Sequence, residues 1–330
     1  MANPKRILIS EDVTGTGIDR LKGKYQVHYD PDLWKKVAEL EGMIPGFEAL
    51  IVRNQTKVNA GLLAKAKALR VIGRAGAGYD NIDVPAATKE GVVLAFSPEE
   101  NAVSVAEHVF ALLLALARKI PGADKSTKGG GWERKKYHGS ELLGKTLGIL
   151  GLGKIGFRVA LRAKAFGMRI LAHDAYLSPT SLHVTESGAL LTSFDRVLAE
   201  ADFLTIHLPL TPETRGILNE EALRKMRKNA FLINTSRGEV LAEADLAKVL
   251  KEGAIGGAAL DVREKEPPGE SPLHGLDNVI LTPHTAGLTY EAQEKVVDAV
   301  AEDVDRVLSG QAALRYVNFG VPKKLAGDDW

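Results

Sequence analysis

The chain has 330 residues, 45% hydrophobic and 26% charged, values of an ordinary globular protein long enough for two domains. Its formal net charge of +1 gives no general field to draw nucleic acid or an anionic membrane, so any bound anion must be held by a local cluster. There is no cysteine, which excludes disulfides, thiolate metal sites and a cysteine nucleophile together.

Met1 to Arg6 leads directly into Ile7-Leu8-Ile9-Ser10, a short predicted strand, with no secretory leader ahead of it. The longest apolar run, Val109 to Ala117, is far too short to span a bilayer. A soluble, cytoplasmic protein with no membrane, nucleic-acid or metal partner is the expectation. Further strands are predicted at Leu50–Val52, Arg70–Ile72, Val92–Leu94, Leu147–Leu150, Arg169–Ala172, Phe203–Leu208, Phe231–Asn234 and Val279–Leu281. Helical patterns lie between them, clearest at Phe157–Phe166, Ala242–Lys251 and Glu291–Leu308. This alternation predicts an α/β protein, its parallel sheets covered by helices on both faces. After Ser97-Pro98-Glu99-Glu100-Asn101, an apolar pattern predicts one long helix that stops at Lys119-Ile120-Pro121-Gly122. The basic, glycine-rich segment Gly129 to Lys136 reads as a loop.

The strand ending at Leu150 runs straight into Gly151-Leu152-Gly153-Lys154-Ile155-Gly156, and a helical pattern follows. Here G-x-G-x-x-G has the context that gives it meaning. Gly151 permits the tight turn, Gly153 lets the backbone approach a pyrophosphate, and Gly156 lets helix and strand pack closely. The pyrophosphate would sit at the helix N-terminus, where free N–H groups and the helix dipole favour negative charge. A glycine turn alone occurs between many strands and helices. The next strand, however, ends at Asp174, where the fingerprint needs an acid. A carboxylate there accepts both adenosine-ribose hydroxyls and repels a 2′-phosphate, so NAD is the expected cofactor.

Hydride removal from an alcohol carbon requires a base for the hydroxyl proton and a cation to orient the substrate. Histidine suits the first task because its pKa lies near neutrality. Of eight histidines, His284 is set apart by following a strand and Pro283, at the carboxyl end where α/β sites collect. Arg237 follows the strand Phe231–Asn234 in the same way, and Glu266 follows the run Gly257 to Val262, so the three hang off the ends of three consecutive strands. Position alone leaves open that all three are ordinary loop residues.

The segments Gly73 to Asn81, Trp132 to Lys136, Gly144 to Gly156, Thr235-Ser236-Arg237-Gly238, Ala258 to Val262 and Pro283-His284 resemble the D-isomer-specific 2-hydroxyacid dehydrogenase family. Within that family the D-3-phosphoglycerate dehydrogenases are the nearest resemblance. It implies two Rossmann-like, doubly wound parallel-sheet domains with a cleft between them. Residues 1–100 and 287–330 would form a discontinuous substrate-binding domain, and 101–286 the NAD-binding domain. The resemblance assigns His284 as catalytic base, Glu266 as its carboxylate partner and Arg237 as the cation for the substrate carboxylate. It places Ile155, Asp174, Leu208, Thr235 and Asp261 along the dinucleotide, with the adjoining Lys154, Pro209 and Ser236. Backbone N–H groups around Ala75, Gly76 and Ala77 would anchor the small 2-hydroxy or 2-oxo acid, and a homodimer is implied.

For the acid itself, Arg53, Arg74 and Asn101 match substrate contacts of the phosphoglycerate enzymes, and Arg134 matches a residue supplied by the neighbouring subunit. Oxidation of 3-phosphoglycerate is the leading expectation. Two departures point elsewhere. Glu99-Glu100-Asn101-Ala102 stands where those enzymes usually carry Asn-Gly-Asn-Ser, and Thr285 to Thr289 resembles glyoxylate or hydroxypyruvate reductases equally well. A glyoxylate/hydroxypyruvate reductase is therefore the alternative. A reading of another class is an NAD-sensing, corepressor-like binding protein.

Overall fold

In a computed structural model, residues 4–322 are described, and the chain divides into two compact units. One comprises Met1–Asn101 with Leu288–Trp330, the other Ala102–Gly287. The first unit is built on five parallel strands, β1 (Arg6–Ile9), β2 (Gln26–Tyr29), β3 (Ala49–Val52), β4 (Val71–Arg74) and β5 (Val93–Phe96), in the order β2-β1-β3-β4-β5. The helix Tyr290–Leu308 covers one face, burying Val296, Val300, Val304 and Val307 at helical spacing against Ile7, Ile51 and Val71. Thr289 caps that helix by accepting the Ala292 N–H at 3.1 Å, a bond worth about 1 kcal/mol.

The second unit holds seven parallel strands: β6 (Thr146–Leu150), β7 (Arg169–His173), β8 (Leu190–Leu191), β9 (Phe203–Ile206), β10 (Phe231–Asn234), β11 (Gly257–Leu260) and β12 (Val279–Leu281). Their order is β12-β11-β10-β9-β6-β7-β8, which reverses direction between β6 and β9. Ligands in open α/β sheets bind at the carboxyl ends of the strands flanking such a reversal. Strands β6 and β9 are buried on both faces, which is why they read as unbroken apolar runs rather than alternating ones. Two core layers flank the sheet. One includes the helix Ala102–Ala117, with Val109, Leu113 and Leu116, and the other includes Leu246 and Leu250 of the helix Glu243–Lys251.

The long apolar helix ends as the pattern predicts, but Lys119 (φ 53°) only turns the chain. A second helix, Ile120–Lys128, begins at once. Pro121 lies in its first turn, where a missing N–H costs nothing, so the residue read as a stop is a start. Among the described residues, no helix is long and apolar enough to cross a membrane, and no cluster of acids and histidines could hold a metal ion.

Candidate active site

At the sheet's reversal point, β6 ends and Gly151 turns the chain at φ 88°, a conformation that favours glycine. A Cβ on Gly156 would overlap the carbonyl oxygen of Gly151, so the helix Lys154–Ala165 can begin this close to the strand only with glycine there. That helix buries Gly156, Val159, Ala160 and Ala163 along one stripe. Its N-cap, Gly153, supplies no side-chain acceptor, and the space beside it is open. The N-terminus of a three-turn helix thus has no side-chain cap, and its dipole favours an anion there. Leu208 packs beside Gly151, while Pro209 is exposed next to it.

Asp174 follows β7. Its Oδ2 accepts the Leu152 N–H and its Oδ1 the Tyr176 N–H, each at 2.9 Å. A carboxylate offers about four acceptor sites, so two are left for a pair of hydroxyls. Thr235, at the end of β10, has its hydroxyl oxygen buried and without a hydrogen-bond partner. An orphaned buried hydroxyl costs about 1–3 kcal/mol unless a ligand satisfies it. The glycine cradle, the uncapped helix, the Asp174 carboxylate and this hydroxyl fit a bound NAD.

The loops after β10, β11 and β12 carry Arg237, Glu266 and His284, the groups expected to be catalytic. Asn234 pins the first: its Nδ2 donates to the Arg237 carbonyl at 2.9 Å, and its Oδ1 accepts the Ser236 N–H and hydroxyl at 3.0 and 2.9 Å. Arg237 is half-buried there and donates to the Ser236 carbonyl at 2.7 Å. On the third loop, the Nδ1 of His284 lies 2.6 Å from Oε2 of Glu266, which comes from the second. His284 sits at φ 55°, an uncommon conformation for a non-glycine residue and one found at sites where function holds it. Burial pushes the Glu266 carboxyl up, but hydrogen bonds from His284 and the Arg263 N–H outweigh it. The charges of His284 and Arg237 add to them, so the pKa lies below its ordinary value. The arginine, glutamate and histidine therefore share one electrostatic environment.

Asp261 is almost fully buried, and its bonds hold the His284 loop. Its Oδ1 accepts the Thr282 hydroxyl (2.6 Å) and the Thr285 N–H (2.9 Å), and its Oδ2 the Ala286 N–H (2.8 Å). His108 approaches the same group, with Nε2 3.3 Å from the Thr282 hydroxyl. The family resemblance offered Asp261 only as a dinucleotide contact, and these bonds give it a second task. Asn234, His108 and Arg263 went unread because their partners are main-chain groups and distant side chains that spacing does not reveal.

In the other unit, Arg53 and Arg74 stand at or just beyond the carboxyl ends of the neighbouring strands β3 and β4. The Arg53 guanidinium already bonds Gln293 and the Asp12 carbonyl, and burial lowers its pKa against the opposing fields of Glu11 and Asp12. The N–H groups of Ala75 and Gly76 donate to the carbonyls of Val52 (2.8 Å) and Arg74 (2.9 Å). Of the three expected backbone anchors in that turn, these two are committed to the chain itself, which leaves Ala77. The Oδ1 of Asn101 is buried and unpartnered. Glu100 accepts the Ser97 hydroxyl at 2.5 Å and the Glu99 N–H at 3.0 Å. Arg134 opens an exposed turn, Arg134–Tyr137.

A parallel sheet in this strand order, with a glycine turn at its reversal and an acid closing the next strand, defines a dinucleotide-binding unit. Residues 110–286 match the family described as D-isomer specific 2-hydroxyacid dehydrogenase, NAD binding domain, and the chain belongs to that family. It is 46% identical over 314 residues to the D-3-phosphoglycerate dehydrogenase of Synechocystis sp., covering 95% of this chain and 56% of that relative. The chain thus spans little more than half the length of the curated relatives it matches. Among solved structures, it is similar to the TT0316 protein of Thermus thermophilus (TM-score 0.88, 33% identity, 94% of this chain and 99% of that one). The D-lactate dehydrogenase of Aquifex aeolicus, complexed with NAD and lactic acid, gives a TM-score of 0.86 at 28% identity, with 95% and 99% covered.

Proposed function

We propose that the chain oxidises 3-phosphoglycerate at C2, with His284 as general base. The observation that carries this reading is the His284–Glu266 contact, formed by loops on the same sheet edge as Arg237. Because Glu266 engages Nδ1, Nε2 is the ring nitrogen left to take the hydroxyl proton. Glu266 stabilises the imidazolium that results. Arg237 holds the substrate carboxylate through its planar donor fork. Bound NAD supplies the acceptor for the C2 hydride.

The name of the Synechocystis relative supports the phosphorylated acid, as do Arg53 and Arg74 at adjacent strand ends. A carboxylate facing a phosphate would be unfavourable, but that of Glu100 is held by Ser97 and its own turn. Arg134 would serve a second copy in a homodimer. One observation favours the glyoxylate/hydroxypyruvate reductase instead: the Arg53 fork is already engaged by Gln293 and Asp12.

A substrate panel separates the two. Turnover of 3-phosphoglycerate or its 2-oxo product, at a KM well below that for hydroxypyruvate or glyoxylate and raised in Arg134→Ala and Arg53→Ala, is the expected result. Equal use of the unphosphorylated acids, with no effect of either substitution, would overturn the phosphate reading.

A further inference from the structure

We infer that Arg263, through its pairing with Glu243, is a positioning residue that holds Glu266 against His284. This rests on the reading of His284 as the proton acceptor. The two oxygens of Glu266 have separate partners: Oε2 meets His284, while Oε1 accepts the main-chain N–H of Arg263 at 3.0 Å. The orientation of the catalytic carboxylate is therefore set by where the Arg263 peptide lies.

That peptide is fixed from three directions. The Arg263 guanidinium donates to both oxygens of Glu243, Nε to Oε1 at 3.0 Å and Nη2 to Oε2 at 2.7 Å. It also donates to the Ser271 hydroxyl at 2.9 Å, across the loop that carries Glu266. The pair is buried, with side chains 6% and 13% exposed, so solvent neither screens it nor replaces it. Glu243 and Glu264 then clamp reciprocally. The Glu264 N–H donates to Glu243 at 2.7 Å, and the Glu243 N–H to Glu264 at 3.1 Å.

Glu243 begins the helix Glu243–Lys251, which is locked into the core by Leu246, Ala247, Val249 and Leu250. The clamp thus ties the Glu266 loop to a rigid element. Gly238, next to Arg237, completes the arrangement: a Cβ there would overlap the Arg263 carbonyl group, so the two loops touch at their backbones. A bidentate fork gives direction as well as charge, and displacement of a catalytic group by about 1 Å can cost up to 10²-fold in rate.

The test compares Arg263→Lys, Glu243→Gln and Glu266→Gln in pH–rate profiles, with NAD affinity and thermal unfolding measured alongside. Arg263→Lys and Glu243→Gln should lower kcat by about tenfold. They should also move the acid limb of kcat/KM to lower pH, part of the way towards Glu266→Gln, and leave the NAD dissociation constant unchanged. Added to Glu266→Gln, neither should shift the limb further. If either single variant folds poorly, the double variant Glu243→Gln/Arg263→Met removes both charges together and gives the same readout. A lowered Tm with the acid limb unmoved would show a purely structural pair and overturn the inference. The failure of the underlying reading looks different, because His284→Asn would then turn over normally.

Discussion

The imidazole Nδ1 of His284 and the carboxylate Oε2 of Glu266 stand 2.6 Å apart, although the residues lie 18 positions apart in the chain and on different loops. A carboxylate at that distance orients the ring and stabilises the imidazolium formed when the proton arrives. Glu266→Gln should move the acid limb of kcat/KM to lower pH and reduce kcat by roughly 10²-fold or more, as when other histidine bases lose their orienting acid. A pH–rate profile of the purified variant checks both. The same substitution has a sign in stability. The Glu266 carboxyl titrates below its ordinary value when folded, so its contribution is present above that value and fades as pH falls through the lowered one. The Gln variant should lose that part of the acid dependence in denaturant titrations.

On the proposed reading, cofactor choice turns on Asp174, whose two oxygens each hold one loop N–H and retain capacity for a hydroxyl. Asp174→Ala should cut the preference for NAD over NADP by about 10- to 100-fold, the worth of one or two charge-assisted hydrogen bonds. Comparing kcat/KM with the two cofactors measures this. Unchanged discrimination would remove Asp174 from the ribose role.

His207 lies beneath the glycine turn, with Nε2 3.0 Å from the Thr205 hydroxyl and Nδ1 buried without a partner. Burial lowers its pKa from the ordinary value to about 3, so the folded protein keeps it neutral. The unfolded chain takes up its proton first as pH drops. The associated stability is present above pH 6.5 and is lost as pH falls through about 3. His207→Gln, which preserves a partner for Thr205, should flatten stability against pH between those limits. A slope equal to wild type across that window in urea titrations would contradict the assignment.

Much of the fold was legible because it is written locally. Apolar runs such as Leu147–Leu150 and Phe203–Ile206 are buried on both faces and signal parallel strands whatever surrounds them. β2 and β8 went unread, the first because Gln26–Tyr29 is a partly exposed edge and the second because it has two residues. Pro121 misled because proline ends one helix and starts another with equal ease. In the site, Gly151, Asp174 and His284 announce themselves by place in a strand–loop pattern. The groups that hold them, Asn234, Asp261, Glu243 and Arg263, act through main-chain bonds whose partners only folding brings near. Arg53 was readable as a cation at a strand end, but its engagement with Gln293 and Asp12 was not.

On the proposed mechanism, the His284 ring takes the substrate proton while the nucleotide is held elsewhere, by the glycine turn and Asp174. Single-turnover NADH formation by His284→Asn, with NAD affinity measured on the same preparation, tests it most directly. A fall of about 10²–10⁴-fold in rate with the NAD dissociation constant within about twofold of wild type is the expected result. Turnover near the wild-type rate would rule out His284 as the base.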